Sequence, residues 1–437
     1  MNICVLGRQP ELGIAELEQL FGSATVQPFA KNYAFVDGDV AIDTLGGTIK
    51  TATHLTTLPT TDPQKVFDYC RRELPKRLAH LPEGKLKLGV SVYGSTMPLA
   101  KINANALSLK KAIKNAGRSV RVVPNTEPAL SSAQSLHNKL AGALGMELIF
   151  IKNGNETVVG QLTGVQNIDA YAARDQARPK TDAFVGMLPP KLALMMVNLA
   201  MGSGLKSSSK RVAGDGATPS SSVRDEGVDR LTGPAWGDLR GDFSTEKSVN
   251  DGSGDGSLTL LDPFCGTGVV LQEAALRGVN VYGTDLSEKM IDYSTKNLAW
   301  AKDKYNFSGT VTIHHGDAIE TQWQPPIHAV ASEVYLGQPF SAPPSPDKLT
   351  QVRGICNDIT KRFLLNLAPQ IKKGTPLCIA VPAWRDGHGY TTYLQLIPQL
   401  EELGYEFVPL QHTDNKRLLY YREDQVVARQ LLVLKRG

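Results

Sequence analysis

Three acidic residues, Asp262, Asp285 and Asp317, each follow a short apolar run and stand where the chain turns into its next element. Asp262 closes the run Leu258, Leu260 and Leu261 and opens the turn PFCGTG; Asp285 closes Val279 to Gly283; Asp317, in HHGDAIE, follows Val311 to Ile313. Gly266 and Gly268 let the backbone bend and approach a ligand without steric cost. The helix expected over Val269 to Leu276 presents unpaired N–H groups behind them. Two familiar ligands are excluded by what is missing. A dinucleotide fingerprint wants a third glycine where Leu271 stands, and a P-loop wants Gly-Lys-Ser/Thr at the helix start. Asp262 would repel a phosphate at this turn and would suit an ammonium. Asp285 sits where an acid accepts ribose hydroxyls. A nucleoside with a positively charged amino-acid tail suits all three acids, and S-adenosyl-L-methionine is such a molecule. The competing reading is three aspartates that cap helices.

The elements around these acids must form a parallel sheet. The run before Asp262 is apolar throughout, as in a strand covered on both faces. Downstream, Ile327 to Ala331 reads as a strand, Lys348 to Leu367 as a long helix, and Leu377 to Val381 as a strand after Lys373-Gly374. LLYYREDQVVARQLLVLKR reads as a closing hairpin. Alternating strands and helices predict a doubly wound α/β fold with its ligand past the strand C-termini, at the switch point.

The first 168 residues are organised differently. Ile3 to Leu6 reads as a strand. PELGIAELEQLFG reads as an amphipathic helix with Leu12, Leu17 and Leu20 on one side, and Tyr33 to Val36 as a second strand. Beyond residue 56 the two periods alternate: a helix opened by Asp62-Pro63, a strand from Lys85 to Tyr93, a helix from Asn103 to Ala116, a strand at Val120 to Val123, a helix from Ser131 to Leu140, and a final strand pair. Between Glu83 and Glu127 there is no Asp or Glu, while Lys85, Lys87, Lys101, Lys110, Lys111, Lys114, Arg118 and Arg121 fall in that span. A patch of one sign on one module is the footprint of a phosphate backbone; a solvated helix face is the bland alternative. Residues 203–256 are rich in glycine and serine without apolar periodicity, and read as a disordered insertion.

LDPFCGTG, GTDLSEKMI and GDAIE resemble the nucleoside-binding half of a Rossmann-like methyltransferase. DPFCGTG is similar to the same stretch in RNA methyltransferases that carry an N-terminal THUMP domain. The junction R-x-x-x-R-P, G-x-L-P-P-K-L-A, N-L-A over 174–200 is similar to that of the archaeal-type family that methylates N2 of the guanosine at position ten of tRNA. The resemblance implies a ferredoxin-like α+β unit over 1–55, a THUMP RNA-binding domain over 56–168, a linker over 169–185, and a Rossmann-like methyltransferase domain over 186–437. It implies that Gly266 and Gly268 line the methionine portion of the cofactor, that Asp285 holds the ribose and that Asp317 holds the adenine amine. Asp262, Phe264, Leu286, Ala318 and Pro189 complete the expected cofactor set. Arg174 and Arg178 of the junction join the lysines and arginines expected to bind RNA.

The family places Asp or Asn, two prolines, then Tyr or Phe after the strand that here ends at Ala331; this chain reads Ser332-Glu333-Val334-Tyr335-Leu336-Gly337. An amine conjugated to a purine is a poor nucleophile and must pyramidalise to react. An oxygen acceptor stabilises the charge that develops, and an aromatic ring stacks on a flipped base. Tyr335 suits the stacking, and Ser332 or Glu333 the acceptor. The leading reading is a tRNA guanine-N2 methyltransferase; the alternatives are an rRNA guanine-N2 methyltransferase and a non-catalytic RNA-binding protein that keeps the nucleoside pocket.

Composition narrows the setting. A length of 437 residues predicts two or three domains, and 41% hydrophobic residues suffice for ordinary cores. The net charge of +4 is too mild to prove a nucleic-acid partner. Five scattered cysteines without a CxxC pair support neither a zinc site nor a disulfide framework. There is no apolar run of about 18 residues for a membrane span, and MNICVLGRQPELG lacks the features of a secretory signal. The expected setting is a reducing cytoplasm, with tRNA as partner, no metal, no membrane, and no protein partner required.

Overall fold

A computed structural model describes residues 1–78, 81–182, 187–207, 258–386 and 388–437. The expected insertion lies outside the described residues from 208 to 256.

The N-terminal strands are β1 (Asn2–Leu6), β2 (Val26–Phe29), β3 (Tyr33–Val36), β4 (Thr48–Leu58), β5 (Leu86–Tyr93), β6 (Val120–Val122), β7 (Gly145–Asn153) and β8 (Glu156–Val165). They form one eight-stranded sheet in the order β2-β3-β1-β4-β8-β7-β5-β6. β4 pairs with β1 on one edge and with β8 on the other. The two expected N-terminal units therefore share a sheet, and the expected 55/56 boundary falls inside β4. That strand, TIKTATHLTTL, alternates no apolar face; its β-branched residues, five threonines and Ile49, are its strand signal.

The helices of this half are α1 (Pro10–Phe21), α2 (Pro63–Arg77), α3 (Leu99–Asn115) and α4 (Ser132–His137). Asp62 caps α2 by accepting from Gln64 N, with Pro63 at its first position. α3 begins directly after Pro98, four residues before the expected Asn103. α2 and α3 bury Val66, Phe67, Ile102 and Leu109 against Leu88, Leu148 and Phe150 of the sheet. On the sheet's other side a fully buried pair, Lys50 Nζ to Glu147 Oε1 at 2.5 Å, is completed by Ser91, Ser135 and the Leu130 carbonyl. Each charge there has its partners, as a dry interior requires.

The C-terminal strands are β9 (Thr259–Asp262), β10 (Asn280–Asp285), β11 (Val311–His315), β12 (Ala329–Glu333), β13 (Pro376–Arg385), β14 (Thr391–Thr392), β15 (Tyr405–Phe407), β16 (Leu419–Tyr420) and β17 (Val427–Arg436). Their order is β11-β10-β9-β12-β13-β17-β15, with β14 on β13 and β16 on β17. β9 to β13 are parallel and β17 is antiparallel to β13. The chain steps outward from β9 to β11 and returns to β12 beside β9. The switch point therefore lies between β9 and β12. This is the expected doubly wound, Rossmann-like sheet, and its helices are α5 (Ile168–Gln176), α6 (Pro190–Met201), α7 (Val269–Leu276), α8 (Glu288–Tyr305) and α9 (Pro346–Leu367).

The two halves share a core. α6 lies between the C-terminal sheet and α1. One continuous apolar cluster joins Leu12 and Leu17 of α1, Leu192 and Met196 of α6, and Leu260, Ala331 and Leu431 of the sheet. α1 is consequently buried on more than the one side its leucine pattern predicts. Its Glu16 is fully buried and accepts from Gly46 N and Gly47 N at 2.8 Å and from Asn198 Nδ2 of α6 at 2.7 Å. Its Glu18 accepts from Gln411 N at 2.8 Å and from His412 N, and Gln9 Nε2 donates to the Tyr421 carbonyl at 2.7 Å.

Candidate active site at the switch point

The turn after β9 is built to leave space above one glycine. Gly266 has φ +51° and Gly268 φ +82°, conformations that favour glycine. A Cβ on Gly268 would lie 2.7 Å from Leu298 Cδ2, so that residue packs against α8; a Cβ on Gly266 would meet nothing. The open side of the turn is therefore at Gly266. Its N–H donates to Asp285 Oδ2 at 2.9 Å, and Ser287 N donates to Asp285 Oδ1 at 2.9 Å. These bonds hold the carboxylate at the end of β10 against the glycine turn. Burial pushes its pKa up, opposed by the two N–H groups.

The other expected cofactor residues fall in two groups. Leu286, 65% exposed, stands in solvent next to Asp285. Asp317 sits in the turn after β11, where Oδ1 accepts from Ile319 N at 3.1 Å. Pro189 caps the start of α6. Ala318 is buried, and Phe264 packs edge-on against Phe363 of α9 at 5.2 Å; both join the core on the α9 side. Asp262 is 2% exposed. It accepts from Ser332 Oγ at 2.6 Å and from Phe264 N at 3.3 Å. Burial lifts its carboxyl to about 7 against the hydrogen bond from Ser332. Asp262 thus ties β9 to β12 across the switch point, instead of standing open to an ammonium as expected.

The two acceptor candidates are separated by the strand geometry. Neighbouring residues of a strand point to opposite faces. Ser332 is fully buried and its hydroxyl is committed to Asp262 and Phe264 N. Glu333 ends β12 and pairs with Arg429 Nε of β17. Tyr335 is 45% exposed beyond it. Gly337, at φ +85°, closes the loop against Val352 and Cys356 of α9. The reading of Ser332 as acceptor is corrected here, because its oxygen has no surface on which to meet a substrate.

Arg174 and Arg178, expected to bind RNA, both make contacts within the fold. Arg174 Nε bonds Glu273 Oε1 of α7 at 2.9 Å. The Arg178 side chain is fully buried, bonding Asp175 Oδ1 at 2.9 Å and reaching Thr267 Oγ1 at 3.4 Å. Asn297 of α8 donates to the carbonyls of Lys180 and Thr267 at 2.9 Å and accepts from Lys180 N. These contacts strap the segment before α6 onto the glycine turn. Arg178 thus reaches the glycine turn through Thr267, while Arg174 is held on α7 and over the Tyr171 ring. Sequence reasoning missed Asn297 and Arg429; a charge within the apolar run of VVARQLLVL was the available signal for the latter.

The basic set stands on the other sheet. Lys101, Lys111, Lys114 and Arg121 are exposed and Lys110 is half-buried. Arg121 donates to Asn138 Oδ1 at 2.7 Å. Arg118 spends its guanidinium on the carbonyls of Leu81, Pro82 and Gly84. Among the described residues no cluster of three or more His, Cys, Asp or Glu could hold a metal ion, and no helix is long and apolar enough to cross a membrane.

Residues 253–324 match the family described as RMKL-like, methyltransferase domain. Over 127 residues the chain is 28% identical to tRNA (guanine(10)-N2)-dimethyltransferase of Methanothermobacter thermautotrophicus, covering 29% of this chain and 34% of that one. Over 93 residues it is 34% identical to tRNA (guanine(10)-N2)-dimethyltransferase of Pyrococcus abyssi, covering 21% and 27%. The chain thus matches about a third of the length of these curated relatives. Solved structures similar to it include TrmN from Thermus thermophilus, at 13% identity and a TM-score of 0.45 over 100% of this chain and 99% of that one. They also include magnesium protoporphyrin IX methyltransferase from Synechocystis PCC 6803 with S-adenosylhomocysteine bound, at 15% identity and a TM-score of 0.29 over 41% and 74%. The turn, the three acids and one side of the switch point lie within this stretch, 253–324, which is similar to the RMKL-like methyltransferase domain.

Proposed function

We propose that this chain is an S-adenosyl-L-methionine-dependent methyltransferase that acts on N2 of a guanosine in tRNA. The observation that carries the proposal is the pairing of Asp285 with Gly266 N at an open glycine turn, inside the stretch that matches the methyltransferase family. The names of the two relatives supply guanine N2 and tRNA. The same names and the junction motif support position ten as the target.

The residues present fit the cofactor. The space over Gly266 admits a ligand against the backbone. Asp285 keeps lone pairs for ribose hydroxyls beside the two N–H groups it accepts. Exposed Leu286 offers an apolar surface to a base, and Asp317 an acceptor to its amine. When bound, S-adenosyl-L-methionine supplies a methyl group on a sulfonium, whose C–S electron pair stays on sulfur as the amine lone pair bonds the carbon.

Glu333 then has the acceptor's role. The guanine amine changes from a conjugated, planar nitrogen to a tetrahedral cation and must release a proton. A carboxylate at the end of β12 stabilises that charge and takes the amine hydrogen. Tyr335, exposed two residues later, stacks on the base. The N-terminal sheet, with Lys110, Lys111 and Lys114 on α3, holds the RNA as a THUMP-type module. We place the enzyme in the cytoplasm, where five unpaired buried cysteines stay reduced.

The test is transfer of labelled methyl from S-adenosyl-L-methionine to unmodified RNA by the full chain. Label in tRNA transcripts and none in ribosomal RNA fragments is expected. Label in ribosomal RNA alone would move the substrate to rRNA, and cofactor binding without label in any RNA would support a non-catalytic binding protein.

A further inference from the structure

The loop after β12 presents a puzzle of stiffness. An acceptor aimed at developing charge must be held in place to contribute. Glu333 has a longer side chain than the aspartate of the resembled family, with one more rotatable bond, and holding it costs more rotamer entropy. The two prolines that would stiffen the family's loop are absent from Ser332-Glu333-Val334-Tyr335-Leu336-Gly337. Something else must fix the carboxylate.

Arg429 is placed to do so. It lies on β17 where that strand is flanked on both edges, opposite Pro382 of β13 and Tyr420 of β16. Its side chain is 11% exposed and that of Glu333 18%. The contact runs from Arg429 Nε to Glu333 Oε1, and among the described residues Glu333 Oε2 accepts no hydrogen bond. One oxygen is thus anchored and the other is left for a donor. A guanidinium suits this task because its planar donors are pre-organised.

We propose that Arg429 is a positioning residue for methyl transfer, holding Glu333 by Oε1 so that Oε2 meets the amine hydrogen of the target base. This rests on the reading above that the site methylates an exocyclic amine. Arg429 does not touch the substrate; it acts through Glu333. Without it the carboxylate samples other rotamers, the aminium loses its acceptor, and RNA and cofactor still bind.

The experiment is a double-mutant cycle in the full chain with Arg429→Met, Glu333→Gln and both together, plus Arg429→Lys. The readouts are single-turnover methylation of unmodified tRNA, KM for tRNA, S-adenosylhomocysteine affinity by calorimetry, and melting temperature. Arg429→Met should lower the rate at saturation by roughly tenfold or more, with KM and S-adenosylhomocysteine affinity unchanged. In the Glu333→Gln background the same change should cost nothing further, because groups acting as a unit are non-additive. Arg429→Lys should recover part of the rate. If Arg429→Met folds poorly through the unpaired charge it leaves, the lysine variant and the double variant, which leaves none, decide the matter. Effects that multiply across the two backgrounds, or a loss that only tracks the folded fraction, would overturn the role of Arg429 while leaving the methyltransferase reading intact. A parent protein that methylates no RNA would overturn both.

Discussion

Asp285 carries most of the cofactor's recognition in the proposed function, because its Oδ2 is held at the open glycine by Gly266 N while Oδ1 is held by Ser287 N. Asp285→Ala should weaken S-adenosyl-L-methionine binding by roughly 1.5–3 kcal/mol, the range for charge-assisted hydrogen bonds. Calorimetry showing unchanged affinity would remove Asp285 from the site. Asp262 makes a different prediction. Its carboxyl titrates near 7 in the folded chain and near about 3.9 in an unfolded one. The folded state therefore holds the proton more tightly. The stability this contributes is complete below the unfolded value and is lost as pH rises through about 7. Asp262→Asn removes the titration and can still accept from Ser332. Its melting temperature relative to the parent should rise between mildly acidic and mildly basic pH. A difference that stays flat across that range would show that Asp262 does not titrate there. The acids were legible in the sequence because each ends an apolar run. Their division into an open Asp285 and a buried Asp262 was not, because it depends on Ser332 arriving from β12, distant along the chain.

At the scale of elements, α3 is the test of the RNA face. Lys110, Lys111 and Lys114 changed together to Glu should weaken tRNA binding by the full chain and lower its salt dependence, each lost phosphate contact reducing the slope by about 1. Filter binding across a salt series checks both. Unchanged affinity and slope would leave the lysines as a solvated surface. The helices and most strands were readable from period and punctuation: α7 begins at Val269, α2 opens at Pro63, and α6 opens at Pro190. β4 was not, because its threonines carry no apolar alternation, and it is the strand that merges the two N-terminal units. Arg174 and Arg178 were readable as a motif but not as a location. Only the docking of their segment on α7 and the glycine turn shows that they face inward.

At the scale of the whole molecule, the cluster shared by α1, α6 and the C-terminal sheet makes the N-terminal unit and the C-terminal sheet parts of one core. Leu17 is fully buried in it, so Leu17→Ala should cost about 2–5 kcal/mol. The loss should appear in the same calorimetric transition that S-adenosyl-L-methionine shifts upward. A separate, unshifted transition for the cofactor-binding half would mean that the shared cluster does not couple the two. On the proposed function, this shared core would let the N-terminal sheet present a single base of a folded tRNA to Glu333. Nucleoside analysis tests that presentation. Unmodified tRNA incubated with the full chain and labelled S-adenosyl-L-methionine is digested to nucleosides and resolved by mass spectrometry. Label is expected in N2-methylguanosine or N2,N2-dimethylguanosine. Label in any other nucleoside, or a parent chain that binds the cofactor and leaves every nucleoside unlabelled, would contradict it.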